Sequence, residues 1–292
     1  MLPESDRWAI HQGDCIPHML EEMEPASMDM AVFSPPFPML YAYTSEEADI
    51  GNSEDFKSEA KIHLGYFYRG LARVMKPGRV AMVHVMQVPR LKRSGGEGLH
   101  DFRGLNIRLA ERAGMTFEYD WCVTKNPQAQ AIRTKSKGLL FTQMHKDSVW
   151  SRPALADYIL IFRAPGENAV PVKPDITNNE WIEWARPIWY GIRETDTLNV
   201  AEGREAEDER HICPLQLGTI ERCVRLWSNK GETVMSPFAG IGSEGFVSVK
   251  QGRRFVGVEL KPAYWRAGVR NLRRAENESK PLDMFAFDDA AS

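Results

Sequence analysis

Strands and helices alternate along almost the whole chain, and that alternation predicts an α/β fold: a doubly wound, mostly parallel sheet with helices on both faces. Two observations carry the prediction. Short runs rich in Val, Ala, Met, Ile and Phe are followed by stretches whose apolar residues recur at helical spacing. Those stretches end at helix stops, Lys76-Pro77-Gly78 and Gly114 among them. No internal repeat competes with this reading.

Trp8 to His11 is a short strand closed by Gly13-Asp14, and Ile16 to Glu24 spaces its apolar residues as one amphipathic helix before a strand from Met28 to Phe33. The opening is therefore β-α-β. Ala60 to Val74 repeats the helical pattern, and Arg79 to Gln87 reads as a buried strand from its Val, Ala and Met content. Gly104 to Ala113 is a helix; Phe117 to Thr124 and Tyr158 to Phe162 are strands on either side of a polar insertion. From Pro165 to about Arg210 the pattern weakens. That segment holds an aromatic island, Trp181, Trp184, Trp189 and Tyr190, and an acidic run Glu202 to Glu209, so a loop-rich and partly mobile excursion is expected. Periodicity returns with a helix over Leu215 to Trp227, a strand Glu232 to Met235, a helix Ser243 to Gln251, a strand Arg254 to Val258 and a helix Pro262 to Glu276. The tail from Asn277 is expected to fray.

Composition narrows the function classes. The chain has 292 residues, 43% hydrophobic and 26% charged, as in ordinary globular proteins. Nothing approaches the run of about 18 apolar residues a membrane span needs, and Met1 to Arg7 is too polar to open a signal peptide, so a cytoplasmic location is expected. The four cysteines, Cys15, Cys122, Cys213 and Cys223, are scattered without a Cys-x-x-Cys pair, which suggests reduced thiols and neither a disulfide framework nor a metal site. A net charge of −3 speaks against a uniformly basic nucleic-acid binder. Local basic groups do exist. Lys125, Arg133, Lys135, Lys137, Lys146 and Arg152 face only Asp147 between residues 125 and 152, and Arg90, Lys92, Arg93 and Arg103 form a second group. Such clusters supply phosphate contacts, and Asn126, Gln128, Gln130 and Gln143 nearby are of the kind that reads base edges.

Two short segments bear chemistry, and each follows a predicted strand. That is the edge where open α/β sheets bind ligands. In Ser236-Pro237-Phe238-Ala239-Gly240-Ile241-Gly242, with Gly245 beyond, a glycine-bearing turn lets a ligand approach the backbone and leaves N–H groups free at a helix start. About twenty residues on, Glu259 ends the next strand, where an acid can accept from both hydroxyls of a ribose. The pair suggests an adenosine-containing ligand. In Ser34-Pro35-Pro36-Phe37, two prolines directly after a buried strand donate no ladder hydrogen bonds and hold carbonyls that need donors. An exocyclic amino group is such a donor.

In this order the two segments resemble those of the beta-group DNA amino-methyltransferases, in which a (Asp/Asn/Ser)-Pro-Pro-aromatic motif precedes a Phe-x-Gly-x-Gly motif. Gly13-Asp14, Leu71 to Gly78 and His211 to Leu217 are also family-like, so the resemblance runs along nearly the whole chain. It implies a single Rossmann-like methyltransferase domain over residues 1–292 with a circularly permuted motif order. Residues 1–124 form the catalytic half, 125–157 the basic insertion, 165–210 a loop-rich recognition segment and 211–276 the cofactor-binding half. It implies S-adenosylmethionine as cofactor, S-adenosylhomocysteine as product, DNA as partner and no metal. Ser34, Pro35, Pro36 and Phe37 would be catalytic. Asp14 would hold the cofactor's adenine amine and Glu259 its ribose, with Ser236, Pro237, Phe238, Gly240 and Gly242 around it. Arg90, Lys92, Arg93, Lys125, Arg133, Lys135, Lys137, Lys146 and Arg152 would hold DNA. One departure stands out: Ser236 occupies a place where the family usually has Asp.

A ring amine is a poor nucleophile, so the Ser34 hydroxyl and Pro35 carbonyl are expected to accept its N–H bonds and orient it, while Phe37 stacks on a flipped base. Ser-Pro-Pro favours cytosine N4 over adenine N6, and the short insertions imply short or relaxed sequence specificity. Carbon-5 methylation needs a thiolate, usually in a Pro-Cys step, and Cys213-Pro214 is the reverse. A silent nucleic-acid-binding relative, and a methyltransferase acting on RNA or a protein amide, remain the other readings. Monomer and homodimer both stay open.

Overall fold

The computed structural model describes residues 4–38, 44, 46–53, 58–90, 98–134, 136–199 and 214–279. Its strands are β1 (Glu4–Ser5), β2 (Trp8–Gln12), β3 (Met30–Phe33), β4 (Val80–Met86), β5 (Val88–Pro89), β6 (Leu99–His100), β7 (Thr116–Val123), β8 (Asp157–Arg163), β9 (Ile188–Trp189), β10 (Thr233–Ser236) and β11 (Arg254–Glu259). Its helices are α1 (Cys15–Pro17, continued by a π turn over His18–Glu22), α2 (Glu59–Val74), α3 (Phe102–Arg112), α4 (Pro127–Thr134), α5 (Phe141–Lys146), α6 (Asn178–Trp184), α7 (Leu217–Trp227), α8 (Ser243–Lys250) and α9 (Pro262–Glu278).

Among the described residues nine strands form one sheet in the order β1-β2-β11-β10-β3-β4-β8-β7-β9, and β5 pairs β6 apart from it. The run from β2 through β11, β10 and β3 to β4 is parallel throughout. Its carboxyl ends therefore share one edge. Within this sheet only β1 and the β4-β8-β7 ladders are antiparallel.

Both faces are covered, which is why β3 is buried at every position instead of alternating. Ala31 and Phe33 point to one face, against Leu64, Phe67 and Leu71 of α2 and Phe102 and Leu105 of α3. Met30 and Val32 point to the other, against Ile220 and Val224 of α7 with Trp184 and Trp189. A third cluster packs α8 and α9 over β2 and β11 through Ile10, Phe246, Phe255 and Leu272. Each such side chain contributes about 1.5–3 kcal/mol when fully buried.

Most predicted elements match the observed ones; the helix expected over Ile16 to Glu24 is instead a short α turn continued by a π turn, the insertion contains α4 and α5, and the excursion from Pro165 also differs. It is not loop throughout: α6 and β9 lie within it, and β9 adds an edge to the sheet beside β7. Thr177 and Glu180 close a capping box at the start of α6. Trp184 and Trp189 are buried, and both the Trp121 and Trp189 indoles donate to the Trp184 carbonyl. The aromatic island is thus half core, because two rings cover the sheet while Trp181 and Tyr190 stay exposed. The run Glu202 to Glu209 lies outside the described residues. No helix among the described residues is long and apolar enough to cross a membrane.

Candidate active site

At the carboxyl edge of the parallel strands lies a cavity lined by Ser34, Pro35, Pro36 and Phe37 after β3, Pro237, Phe238 and Gly240 after β10, Glu259 at the end of β11, and Gly13 and Asp14 after β2. The two sequence segments therefore meet. They meet because β3 and β10 are neighbours, Val234 opposite Met30 and Met235 opposite Ala31, and because the parallel direction sends both chain exits to one side. Behind the cavity the Phe238 ring packs 4.9 Å from Phe67 and 5.9 Å from Phe33, and Phe37 lies 5.3 Å from Phe102. These contacts fix both turns on the core.

Glu259 is the acidic centre of the cofactor half. Its carboxyl accepts from the Gly240 amide at 2.7 Å and the Lys261 amide at 2.8 Å. Burial nevertheless pushes its pKa up to about 7, the two amides offsetting only part of that cost. Asp14 accepts from the Ile16 amide at 2.8 Å and caps α1, and burial raises it as well. Gly240 has φ +53°, and the place its Cβ would occupy is open. A ligand can thus reach the backbone there. The cavity fits an adenosine-bearing ligand on three counts: open space over Gly240, an acceptor at the end of β11 and a second acceptor after β2.

Two predicted residues play other parts. Ser236 is fully buried, does not line the cavity, and its hydroxyl has no hydrogen-bond partner among the described residues. Gly242, at φ +84°, also stands off the cavity lining; a Cβ there would meet the Gly268 Cα at 3.1 Å. It is required for the close approach of α8 and α9.

The sequence reading missed Glu244. This carboxyl, one residue into α8, lines the cavity and is almost wholly buried. Burial raises it to about 8, with its own backbone amide opposing the shift and Glu259 adding to it. Asp49, also missed, lines the cavity and caps a short turn through the Gly51 amide at 2.9 Å. Neither lies in a motif; a Glu in a helix with no other charge before Lys250 was the available signal for the first.

A second missed group lies beside Ser34. The Ser34 Oγ is 3.1 Å from His84 Nδ1 and 3.2 Å from the His84 carbonyl oxygen. His84 Nε2 is 2.8 Å from Asp157 Oδ2, which also takes the Lys125 ammonium at 2.6 Å. The legible signal was one histidine in the apolar run of β4.

The basic residues divide. Lys125 is only 9% exposed and belongs to the Asp157 ion pair, so it is not a free phosphate contact. Arg103 is tied to Asp120 and lies over the Phe117 and Tyr158 rings. Arg152 is partly buried and donates to the Ser136 hydroxyl and the Pro153 carbonyl. Arg90, Lys137 and Lys146 are exposed. Lys92, Arg93, Lys135 and the Arg133 side chain lie outside the described residues. Gln130 is spent on Leu155 and Asn126 on the start of α4. The insertion instead exposes apolar side chains, Phe141 at 81%, Val149 at 83% and Trp150 at 61%, the kind of surface that meets partners.

Of the cysteines, Cys15 lines the cavity and Cys223 is buried in the core, while Cys213 lies outside the described residues. Burial pushes the Cys15 thiol well up, and Asp14 adds to the shift. A thiol held in that state is unsuited to attack carbon 5 of a pyrimidine.

A ligand cavity at the carboxyl edge of a parallel sheet, with a Ser-Pro-Pro-Phe turn and a glycine turn meeting in it, places the chain in the class of α/β proteins that bind a nucleotide-type ligand at that edge. The particular family follows from comparison: residues 28–270 match the DNA methylase family that covers the N6 and N4 enzymes, and the chain belongs to it. A type II methyltransferase of Bacillus subtilis, M.BglI, is 27% identical over 166 residues, 56% of this chain and 41% of that protein. The chain thus matches less than half the length of that relative. Among solved structures, a Thermus thermophilus protein described as a candidate DNA modification methylase, complexed with S-adenosyl-L-methionine, superposes with a TM-score of 0.68 at 22% identity, covering 91% of this chain and 93% of its own. The cytosine-N4-specific PvuII DNA methyltransferase superposes with a TM-score of 0.64 at 17% identity, over 94% of this chain and 93% of its own. These likenesses establish the shared fold.

Proposed function

We propose that this chain transfers a methyl group from S-adenosylmethionine to the exocyclic amine of a base flipped out of DNA, with cytosine N4 the favoured acceptor. The observation that carries the reading is the meeting of Ser34-Pro35-Pro36-Phe37 and the Gly240 turn, with Glu259, in one cavity. Membership of the DNA methylase family supports it. S-adenosylmethionine supplies the methyl group on a sulfonium centre. Glu259 accepts from the ribose hydroxyls and Asp14 from the adenine amine. Ser34 Oγ and the Pro35 carbonyl accept the two N–H bonds of the target amine and turn its lone pair toward the methyl carbon, an effect of positioning and fixed dipoles. Phe37 stacks on the base. Exposed Arg90, Lys137 and Lys146 contact phosphates, and specificity is short or relaxed.

The second reading is adenine N6, which the family equally includes. Nucleoside mass spectrometry of DNA incubated with the protein and labelled cofactor separates them. N4-methylcytosine is the expected product; N6-methyladenine selects the second reading, and absence of both overturns the proposal. Ser34→Ala is expected to lower the rate at least about 100-fold, the usual cost of removing one fixed hydrogen-bonding group from a transition state, with cofactor affinity unchanged by calorimetry.

A further inference from the structure

Ser34 does not stand alone. It is the first member of a chain of contacts, Ser34 Oγ to His84 Nδ1 at 3.1 Å and His84 Nε2 to Asp157 Oδ2 at 2.8 Å, that leads from the cavity into the sheet. Resting on the amine-methylation reading above, we propose that His84, oriented by Asp157, receives through Ser34 the proton that the methylated amine must shed.

The protonation pattern follows from the neighbours. Asp157 is buried, which alone would raise its pKa, but the charge His84 carries when protonated, its hydrogen bond and the Lys125 ammonium outweigh burial; with His84 neutral, the Lys125 ammonium at 2.6 Å is the counter-charge that stays. An ionised carboxylate can only accept. The proton between it and His84 therefore sits on Nε2, and in its neutral form His84 presents the Nδ1 lone pair to Ser34. The Ser34 hydroxyl donates to that nitrogen, leaving its own lone pairs toward the cavity for an amine N–H. When His84 is protonated, Nδ1 becomes a donor and the Ser34 hydroxyl turns to its other contact, the His84 carbonyl at 3.2 Å. In that state no proton can be passed on.

The step balances. The amine lone pair forms the N–C bond as the C–S bond breaks and its electron pair stays on sulfur. The nitrogen, now positive, loses a proton to Ser34 Oγ while the Ser34 hydroxyl proton passes to His84 Nδ1. The imidazolium is held against Asp157 until solvent takes the proton after product leaves. Lys125 keeps Asp157 ionised, and by its charge eases the return of the proton. Other charges near this face are engaged elsewhere: Arg222 of α7 lies over the Trp184 and Trp189 rings, and Glu194 accepts from the Asn126 amide. The relay couples the serine hydroxyl to an imidazole that can take up the proton.

The test is a single-turnover methyl-transfer profile between pH 5.5 and 9 at saturating cofactor and DNA, for the wild type, His84→Asn and Asp157→Asn. The wild-type rate should fall tenfold per pH unit at the acidic end of the profile. His84→Asn should lose that limb and drop its plateau about 100-fold, in line with the loss of a general base, while binding of S-adenosylhomocysteine stays unchanged. Asp157→Asn should lower the plateau too, because Nε2 is no longer fixed as the donor. A His84→Asn profile parallel to the wild type, or a plateau within threefold of it, overturns the relay. Nitrogen-15 NMR of the imidazole in the unaltered protein gives an answer independent of folding of the variants: a neutral ring protonated on Nε2 at pH 8 supports the proposal, and one protonated on Nδ1 overturns it. A wild type that methylates no base refutes the functional reading itself, whereas an active wild type beside an unaffected His84→Asn refutes only the relay.

Discussion

The two ends of the same parallel strands treat buried polar groups in opposite ways. At the amino edge the buried charges are answered by partners. Arg79, before β4, forks onto Glu232, before β10, and donates to the Asp29 carbonyl before β3; Asp29 in turn accepts from Lys76 at 2.6 Å and the Thr233 amide at 2.9 Å. Arg253, before β11, gives two bonds of 3.0 Å to Asp175 and others to Ser228 and Gln251. At the carboxyl edge the buried Ser243 hydroxyl, which lines the cavity, has no partner among the described residues, and Glu244 and Glu259 are raised to about 8 and about 7. A buried polar group left wanting is costly to the fold. The difference teaches where the sheet is fastened and where it waits for a ligand.

Breaking the fastened end should have the largest effect. Arg79→Met strands Glu232 without its cation; burial would then raise a carboxyl that Arg79 and Asn229 now hold low. Loss of about 3–5 kcal/mol in urea unfolding is expected, the usual result of halving a buried pair. Cofactor affinity of the folded fraction should not change.

At the waiting end, pH is the probe. Glu244 and Glu259 have folded-state values raised above the ordinary 4.5, so the folded state binds more protons than the unfolded one between that value and about 8. The contribution of these two carboxyls to stability without ligand is therefore full below about pH 4.5 and is lost as pH rises through about 7 and 8, several kcal/mol in all. Unfolding midpoints that stay flat across this window would contradict the assignment.

Glu259→Gln sharpens the contrast further, since it removes a ligand acceptor and a folding cost together. We expect about 10- to 100-fold weaker S-adenosylhomocysteine binding, from the loss of a charge-assisted hydrogen bond. Stability at pH 8 should be unchanged or higher. Calorimetry and thermal unfolding on the same sample read both.

The smallest effects belong to the exposed Lys137 and Lys146, which take no part in either end. Lys137→Gln and Lys146→Gln should each weaken DNA binding a few-fold at low salt and flatten its salt dependence by about one counterion. Unfolding should be unmoved.

Much of this was legible in the residues. Helix α2 and strand β4 were readable because periodicity of burial is a local property, as was the motif pair that ends β3 and β10. Glu259 was readable because it ends a strand a fixed distance after a glycine turn. His84 and Asp157 were not, since they lie more than 70 residues apart and only the antiparallel ladder that sets Met86 opposite Asp157 brings them together. Lys125 was misread as a surface charge for the same reason: its partner belongs to β8. Trp184 and Trp189 looked like a loop's aromatics until an edge strand and a helix placed them on the sheet.

By itself, then, the sequence determined the alternating layers, the two turn chemistries and their order along the chain. The tertiary structure alone decided that β3 lies beside β10, that Ser34 meets His84, and that Glu244 is buried against the cavity. The physical reason is range. Turns, caps and burial patterns are set by neighbours within a few residues, whereas pairing of strands and desolvation of charges depend on which distant segments the core brings into contact.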